Sequence, residues 1–253
     1  MKILVVNPNT SVSMTESIAR SARRAASPGT EILAVQPFFG PEAIDCNLES
    51  YLSAVAVMDR ILAVREPYDA VVLAGFGEHG REGVQEITDV PVLDIAESSA
   101  HVAQMIGRSY SVVTTLARSV GPIEDRLRLA GLADRCASVR SCGLSTAEVD
   151  ADPLAAVAAI LAEAERAVRE DRAEVICLGC GGMAGLEEAI TGRLGVPVVD
   201  GVAAGVRLAE AVAGMGLRTS KVCTYAAPPD RPIPGWPLSR RVPTSSTGRT
   251  APG

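Results

Sequence analysis

Two stretches of this chain repeat each other. "DAVVLAGFG" at residues 69–77 and "EVICLGCGG" at residues 174–182 each run an apolar segment into a glycine turn. Each is followed by a segment of helical period and then by "VPVLD" (90–94) or "VPVVD" (196–200). Further upstream, "KILVVNPNTS" aligns more loosely with "YSVVTTLARS". A duplicated unit restricts the chain to folds built from two copies of one arrangement. Short β-branched runs at 3–7, 31–35, 70–74, 92–94, 111–114, 138–140, 175–179 and 198–200 alternate with stretches such as "DPLAAVAAILAEAERAVRE", whose apolar residues recur at three and four positions. Continuously apolar strands joined by helical crossovers require parallel sheets covered on both faces. The expected fold is therefore α/β, with two pseudo-symmetric parallel-sheet halves and a ligand cleft between them. The expected boundaries are residues 1–97 plus 203–225 for the first half and 98–202 for the second. A proline-rich tail without periodicity occupies 226–253; it reads as disordered, unless Trp236 anchors it to a subunit or the cleft.

Composition narrows the function. With 253 residues, of which 47% are hydrophobic, the chain can bury a substantial core. Its net charge of −6 arises from interspersed acids and bases, so no basic stripe exists to follow a phosphate backbone, and nucleic acid is not an expected partner. No apolar run reaches the roughly 18 residues of a membrane span. Neither a secretory leader nor a disulfide framework is expected of Cys46, Cys136, Cys142, Cys177, Cys180 and Cys223, which points to a cytoplasmic protein with free thiols. Only two histidines, His79 and His101, and two lysines, Lys2 and Lys221, are present. A histidine-rich metal site and pyridoxal chemistry are correspondingly poorly supplied.

In parallel α/β sheets ligands sit beyond the carboxyl ends of the strands. Those ends are "NPNTS", "AGFGEHG", "VVTT" and "GCGGMAG", all rich in small, hydroxyl or amide groups suited to a carboxylate, carbonyl or imide. Cys180 is the strongest candidate for chemistry. It stands between two glycines at a strand end, where a following helix would lower its pKa and make it a base or nucleophile. Cys177, three residues earlier on the strand, should point into the core. "CLGC" matches a redox pair and "GCGGMA" with Asp200 matches a dinucleotide fingerprint, but the first puts one sulfur inside a strand and the second lies late in the chain. Glu78 and His79 come directly after the Gly75-Phe76-Gly77 turn. They are either a solvated first helical turn or a base facing Cys180 across the cleft. Glu97 has an equal claim to the cleft and to a helix start.

"MKILVVNPNTS", "GPEAID", "TDVPVLDIAES", "SYSVVTTLARSV", "AEVICLGCGGMAGL" and "GVPVVDGVAAGVRLAE" together resemble the hydantoin and allantoin racemases of the aspartate/glutamate racemase superfamily, up to about residue 221. The resemblance implies two pseudo-symmetric halves, no cofactor or metal, a small-molecule substrate and a homo-oligomer. It also implies one cysteine from each half, one removing the proton of the chiral carbon and the other returning a proton from the opposite face. The second cysteine carries over onto Cys180. The first does not, because the family's Cys-Phe-Gly-Asp-Pro-Gly run reads Gly75-Phe76-Gly77-Glu78-His79-Gly80 here. Substrate-holding positions implied by the match are Asn9, Thr10, Thr114, Thr115 and the amides of Gly181 and Gly182, along with the Gly75–Gly77 turn. Three functions fit such a chain. It is a racemase or epimerase pairing Cys180 with His79 or Glu78; a single-thiol decarboxylase or isomerase like the arylmalonate decarboxylases, which have glycine at the first position; or a non-catalytic binder.

Overall fold

The computed structural model describes residues 1–229 and 231; Trp236 and most of the expected tail lie outside the described residues. Four strands, β1 (Lys2–Val6), β2 (Glu31–Val35), β3 (Ala70–Leu73) and β4 (Val92–Asp94), form a parallel sheet in the order β2-β1-β3-β4. Another four, β5 (Tyr110–Thr114), β6 (Cys136–Ser141), β7 (Val175–Leu178) and β8 (Val198–Asp200), form a second in the order β6-β5-β7-β8. The two orders are the same once β1 is matched with β5, so the sequence repeat is a repeat of topology. Strands β3 and β7 are buried along their whole length. That double-sided burial is what their unbroken apolar sequences, Ala-Val-Val-Leu and Val-Ile-Cys-Leu, require.

The terminal aspartate of each "VPVxD" copy starts a helix. Asp94 accepts the amide of Glu97 at the N-cap of α4 (Ile95–Ile106), and Asp200 accepts those of Val202 and Ala203 at the N-cap of α9 (Gly201–Gly214). In chain order, α1 (Val12–Ala25), α2 (Asn47–Ala63) and α3 (Arg81–Ile87) belong with the first sheet, and α5 (Val120–Leu129), α6 (Thr146–Ala151), α7 (Pro153–Asp171) and α8 (Glu187–Leu194) with the second. Helices α4 and α9 pack on each other between the sheets, α4 reaching β7 and α9 reaching β3. Glycine permits this: a Cβ on Gly201 would lie 2.8 Å from the Ile95 carbonyl oxygen, and one on Gly205 would lie 2.9 Å from Val72. One hydrophobic core consequently runs through both halves, from Ile3 and Val72 to Val112 and Val175. The halves are held with the carboxyl ends of β1, β3, β5 and β7 facing a common space.

Candidate active site

That space is a cleft of about 630 Å³, and all four turns line it: Asn7 to Asn9 after β1, Ala74 to His79 after β3, Thr114 and Thr115 after β5, and Gly179 to Gly181 after β7. Helix α5 supplies one wall and the segment entering α2 supplies another. The second wall is strapped across the cleft, because Asp45 accepts hydrogen bonds from the amide (3.1 Å) and hydroxyl (2.7 Å) of Thr146 in the other half.

Cys180 stands at the cleft with its Sγ 3.4 Å from the amide of Gly182, which donates to it. Its thiol does not have the lowered pKa expected of a helix start. The chain leaves Cys180 through a three-residue 3-10 turn, Gly181–Met183, too short to present a helix dipole. Burial pushes the thiol up to about 11; the Gly182 amide opposes that shift and nearby Asp45 adds to it. At neutral pH Cys180 thus rests as the protonated thiol. Cys177 is fully buried, and burial raises its thiol to about 12, as befits a core residue.

On the other side of the cleft the space beside Gly75 is occupied. A Cβ placed on Gly75 would overlap the His79 ring at Cδ2, would lie 2.7 Å from its Nε2, and would also press on Pro8. The imidazole therefore fills the volume that a side chain at position 75 would occupy. His79 is not the solvated side chain of a helical first turn. It is 8% exposed, ahead of a helix that begins at Arg81. Burial, helped by the charge of Arg126, lowers its pKa to about 4, so the ring is neutral at pH 7 with a free lone pair, and its proton affinity is weaker than that of an ordinary imidazole. Gly77, with φ of 153°, adopts backbone open to glycine and lets the turn fold back so that the ring reaches inward.

Glu78 is differently placed. Its carboxylate accepts from the Gly80 amide at 2.9 Å and pairs with Arg126 at 3.0 Å. Half-burial raises its pKa. Arg126 itself, on α5, is buried among Glu78, Glu82, Asp94 and Glu97 of the other half. Burial opposes its charge, yet those carboxylates hold the guanidinium protonated well above its ordinary value. Glu97 belongs to this cluster and also pairs with Arg81 at 2.8 Å. His101 is exposed on α4.

The remaining expected residues divide. Asn9, Gly75, Phe76, Gly77, Thr114, Thr115 and Gly181 line the cleft. Thr10 instead turns its amide and hydroxyl to the Pro41 carbonyl, and the Gly182 amide is directed at Sγ of Cys180. Asn9 is tied into the first turn by Asn7 and Ser11. The Thr114 hydroxyl donates to the Gly179 carbonyl, bridging two strand ends at 3.0 Å. Asp200, the acid of the dinucleotide fingerprint, is taken up by the Ser21 hydroxyl, the Gly185 amide and its own helix. Ser50, Thr146 and Arg126 lie in none of the quoted motifs, and Asp45 ends "GPEAID" without a role read from it; all four enter the site only through the fold.

The family profile of the Asp/Glu/hydantoin racemases matches residues 3–209. The chain belongs to the Asp/Glu/hydantoin racemase family. A hydantoin racemase of Pseudomonas sp. (strain NS671) is 42% identical over 229 residues, covering 90% of this chain and 92% of the relative. Among solved structures, the allantoin racemase from Pseudomonas fluorescens superposes with a TM-score of 0.91 at 59% identity, covering 93% of this chain and all of the other. Arylmalonate decarboxylase shares the fold alone, with a TM-score of 0.57 at 20% identity over 89% of this chain and 97% of the other. Membership of the racemase family makes the chain an isomerase acting on a small molecule, and the two-sheet architecture is the racemase fold. Among the described residues, no helix is long and apolar enough to cross a membrane.

Proposed function

We propose that this racemase inverts a hydantoin-like or other α-substituted carbonyl compound by proton transfer at the α-carbon, without a cofactor, using Cys180 on one face and His79 on the other. The observation that carries this reading is the overlap between the His79 ring and the side-chain volume of position 75. An imidazole there meets the substrate from the direction that the family's first thiol would take.

In one direction the α-C–H bond breaks as its proton passes to Nε2 of His79, and the electron pair moves onto the carbonyl as an enolate. The S–H bond of Cys180 then breaks as its proton passes to the opposite face of the carbon. The enzyme is left as an imidazolium and a thiolate, which either take the other enantiomer in reverse or return to the resting pair through solvent. The Gly181 amide and the Thr114 and Thr115 turn are suited to hold the enolate oxygen. Glu78, engaged by Arg126 and Gly80, fixes the turn and leaves the proton transfer to its neighbour.

Single-thiol decarboxylation draws support from Gly75 alone and gives the buried imidazole no task. Each enantiomer of a 5-substituted hydantoin and of allantoin is to be incubated with the protein under a polarimeter, beside an arylmalonate with carbon dioxide detection. Decay of rotation from both enantiomers of one compound is expected, falling by about 10² to 10⁴ in His79→Gln and in Cys180→Ala. Carbon dioxide release without racemisation of any compound would overturn the reading. Assembly into a homo-oligomer in a reducing cytoplasm belongs to the same proposal; exposed Phe38, Leu48, Tyr51 and Leu52 and six free thiols support it.

A further inference from the structure

We infer that Ser50, on the first turns of α2, is the positioning residue that fixes the tautomer of His79, holding the proton on Nδ1 and leaving Nε2 as the basic nitrogen. The Oγ of Ser50 lies 3.1 Å from Nδ1 of His79 and makes a short hydrogen bond to the carbonyl oxygen of Glu78. A carbonyl oxygen only accepts, so the single hydroxyl proton is committed to it. The hydroxyl then has nothing but lone pairs to offer the imidazole, and Nδ1 must be the donor. In a neutral ring that leaves Nε2 unprotonated, and Nε2 is the ring atom closest to where a Cβ on Gly77 would stand and, with Cδ2, lies on the Gly75 side of the ring. Ser50, His79 and Phe76 are all buried, so water competes weakly for these groups.

The arrangement also suits both charge states of the ring. An imidazolium donates from both nitrogens, so the Nδ1–H to Ser50 bond is kept when Nε2 gains a proton. The hydroxyl need not turn during the cycle. Position 50 thereby performs through a hydroxyl and a carbonyl what a buried carboxylate does for other catalytic histidines. Its consequence for turnover rests on His79 being the second base, but the tautomer itself does not.

The chain holds only two histidines, so uniform ¹⁵N-histidine labelling of the full-length protein gives two ring systems, and His79→Gln assigns them. Long-range proton–nitrogen correlation at pH 7 should give a protonated Nδ1 and an unprotonated Nε2 for His79. Ser50→Ala should shift the population toward protonated Nε2 and lower kcat by about 10- to 1000-fold with KM little changed. Ser50→Thr, which keeps the hydroxyl, should restore both. An unprotonated Nδ1 in the unmodified protein, or a tautomer unaffected by Ser50→Ala, would overturn the inference. If the tautomer tracks Ser50 while His79→Gln still racemises, the inference stands and His79 loses its place as the second base.

Discussion

At residue scale the site depends on one exchange: a glycine where a thiol is expected, and an imidazole in the room it leaves. Gly75→Cys alone drives its Cβ into the His79 ring and Pro8, and overpacking of this kind costs about 1–3 kcal/mol. With His79→Ala added, the collision with the ring is removed. The two substitutions should therefore couple favourably by about 1–3 kcal/mol in a double-mutant cycle of urea unfolding. Simple additivity would show that the ring does not occupy that volume. The same pair sets the pH dependence. His79 must be neutral and Cys180 protonated, so kcat/KM should be flat at neutral pH and fall below about 4 and above about 11. Because the folded pKa of His79 lies below its unfolded value of 6.5, the unfolded chain binds the extra proton between about pH 4 and 6.5. Stability should accordingly decline as pH falls through that window, by about 3 kcal/mol in all, and His79→Gln should flatten the decline. Cys180 is legible from two flanking glycines at a strand end. Its raised pKa is not, because burial is set by the assembled cleft, to which Asp45 and Thr146 come from different halves.

At the scale of elements the repeat carries most of the information. All eight strands fall where the β-branched runs place them; β2, β4 and β8 keep the expected ends and the other five are displaced by one or two residues, as at 136–141 against an expected 138–140. The β-branched run marks where a strand is, and its hydrogen-bonded ends fall a residue or two to either side of it. The "VPVxD" aspartates are helix caps, a local role that "GCGGMA" upstream disguises as a cofactor fingerprint. The segment Arg218–Lys221, where the family resemblance ends, packs on α3, the helix that follows His79. Lys221 donates to the carbonyls of Gln85 (2.5 Å) and Glu86 (3.1 Å) at its C-terminal end, and Thr219 binds the Asp89 and Val90 carbonyls. Lys221→Met should cost about 1 kcal/mol and lower Tm by about 2–4 °C in calorimetry. An unchanged Tm would mean that this cap contributes nothing.

At the scale of the whole molecule, the halves meet through a core of small residues and a buried arginine. Arg126 reaches from α5 into four carboxylates of the other half, one of them on the residue beside His79. Arg126→Met takes the guanidinium from Glu78 and leaves Glu82, Asp94 and Glu97 with Arg81 as their remaining cation. It should cost about 3–5 kcal/mol in urea unfolding, and the acid limb of kcat/KM should move to higher pH as His79 loses a positive neighbour. Nothing in "EDRLRLAGL" distinguishes this arginine from Arg128, which is exposed and pairs within its own helix. Only the docking of two halves separates them, so a single linear pattern cannot reveal it. The division of labour proposed for Cys180 and His79 would likewise be a property of the assembled cleft. It is tested most directly by α-proton exchange in deuterated water, followed by NMR for each enantiomer of the racemised compound with each single-base variant. Cys180→Ala should exchange one enantiomer only, with retention, and His79→Gln only the other. If both variants exchange the same enantiomer, or His79→Gln exchanges both, the two-base account is wrong.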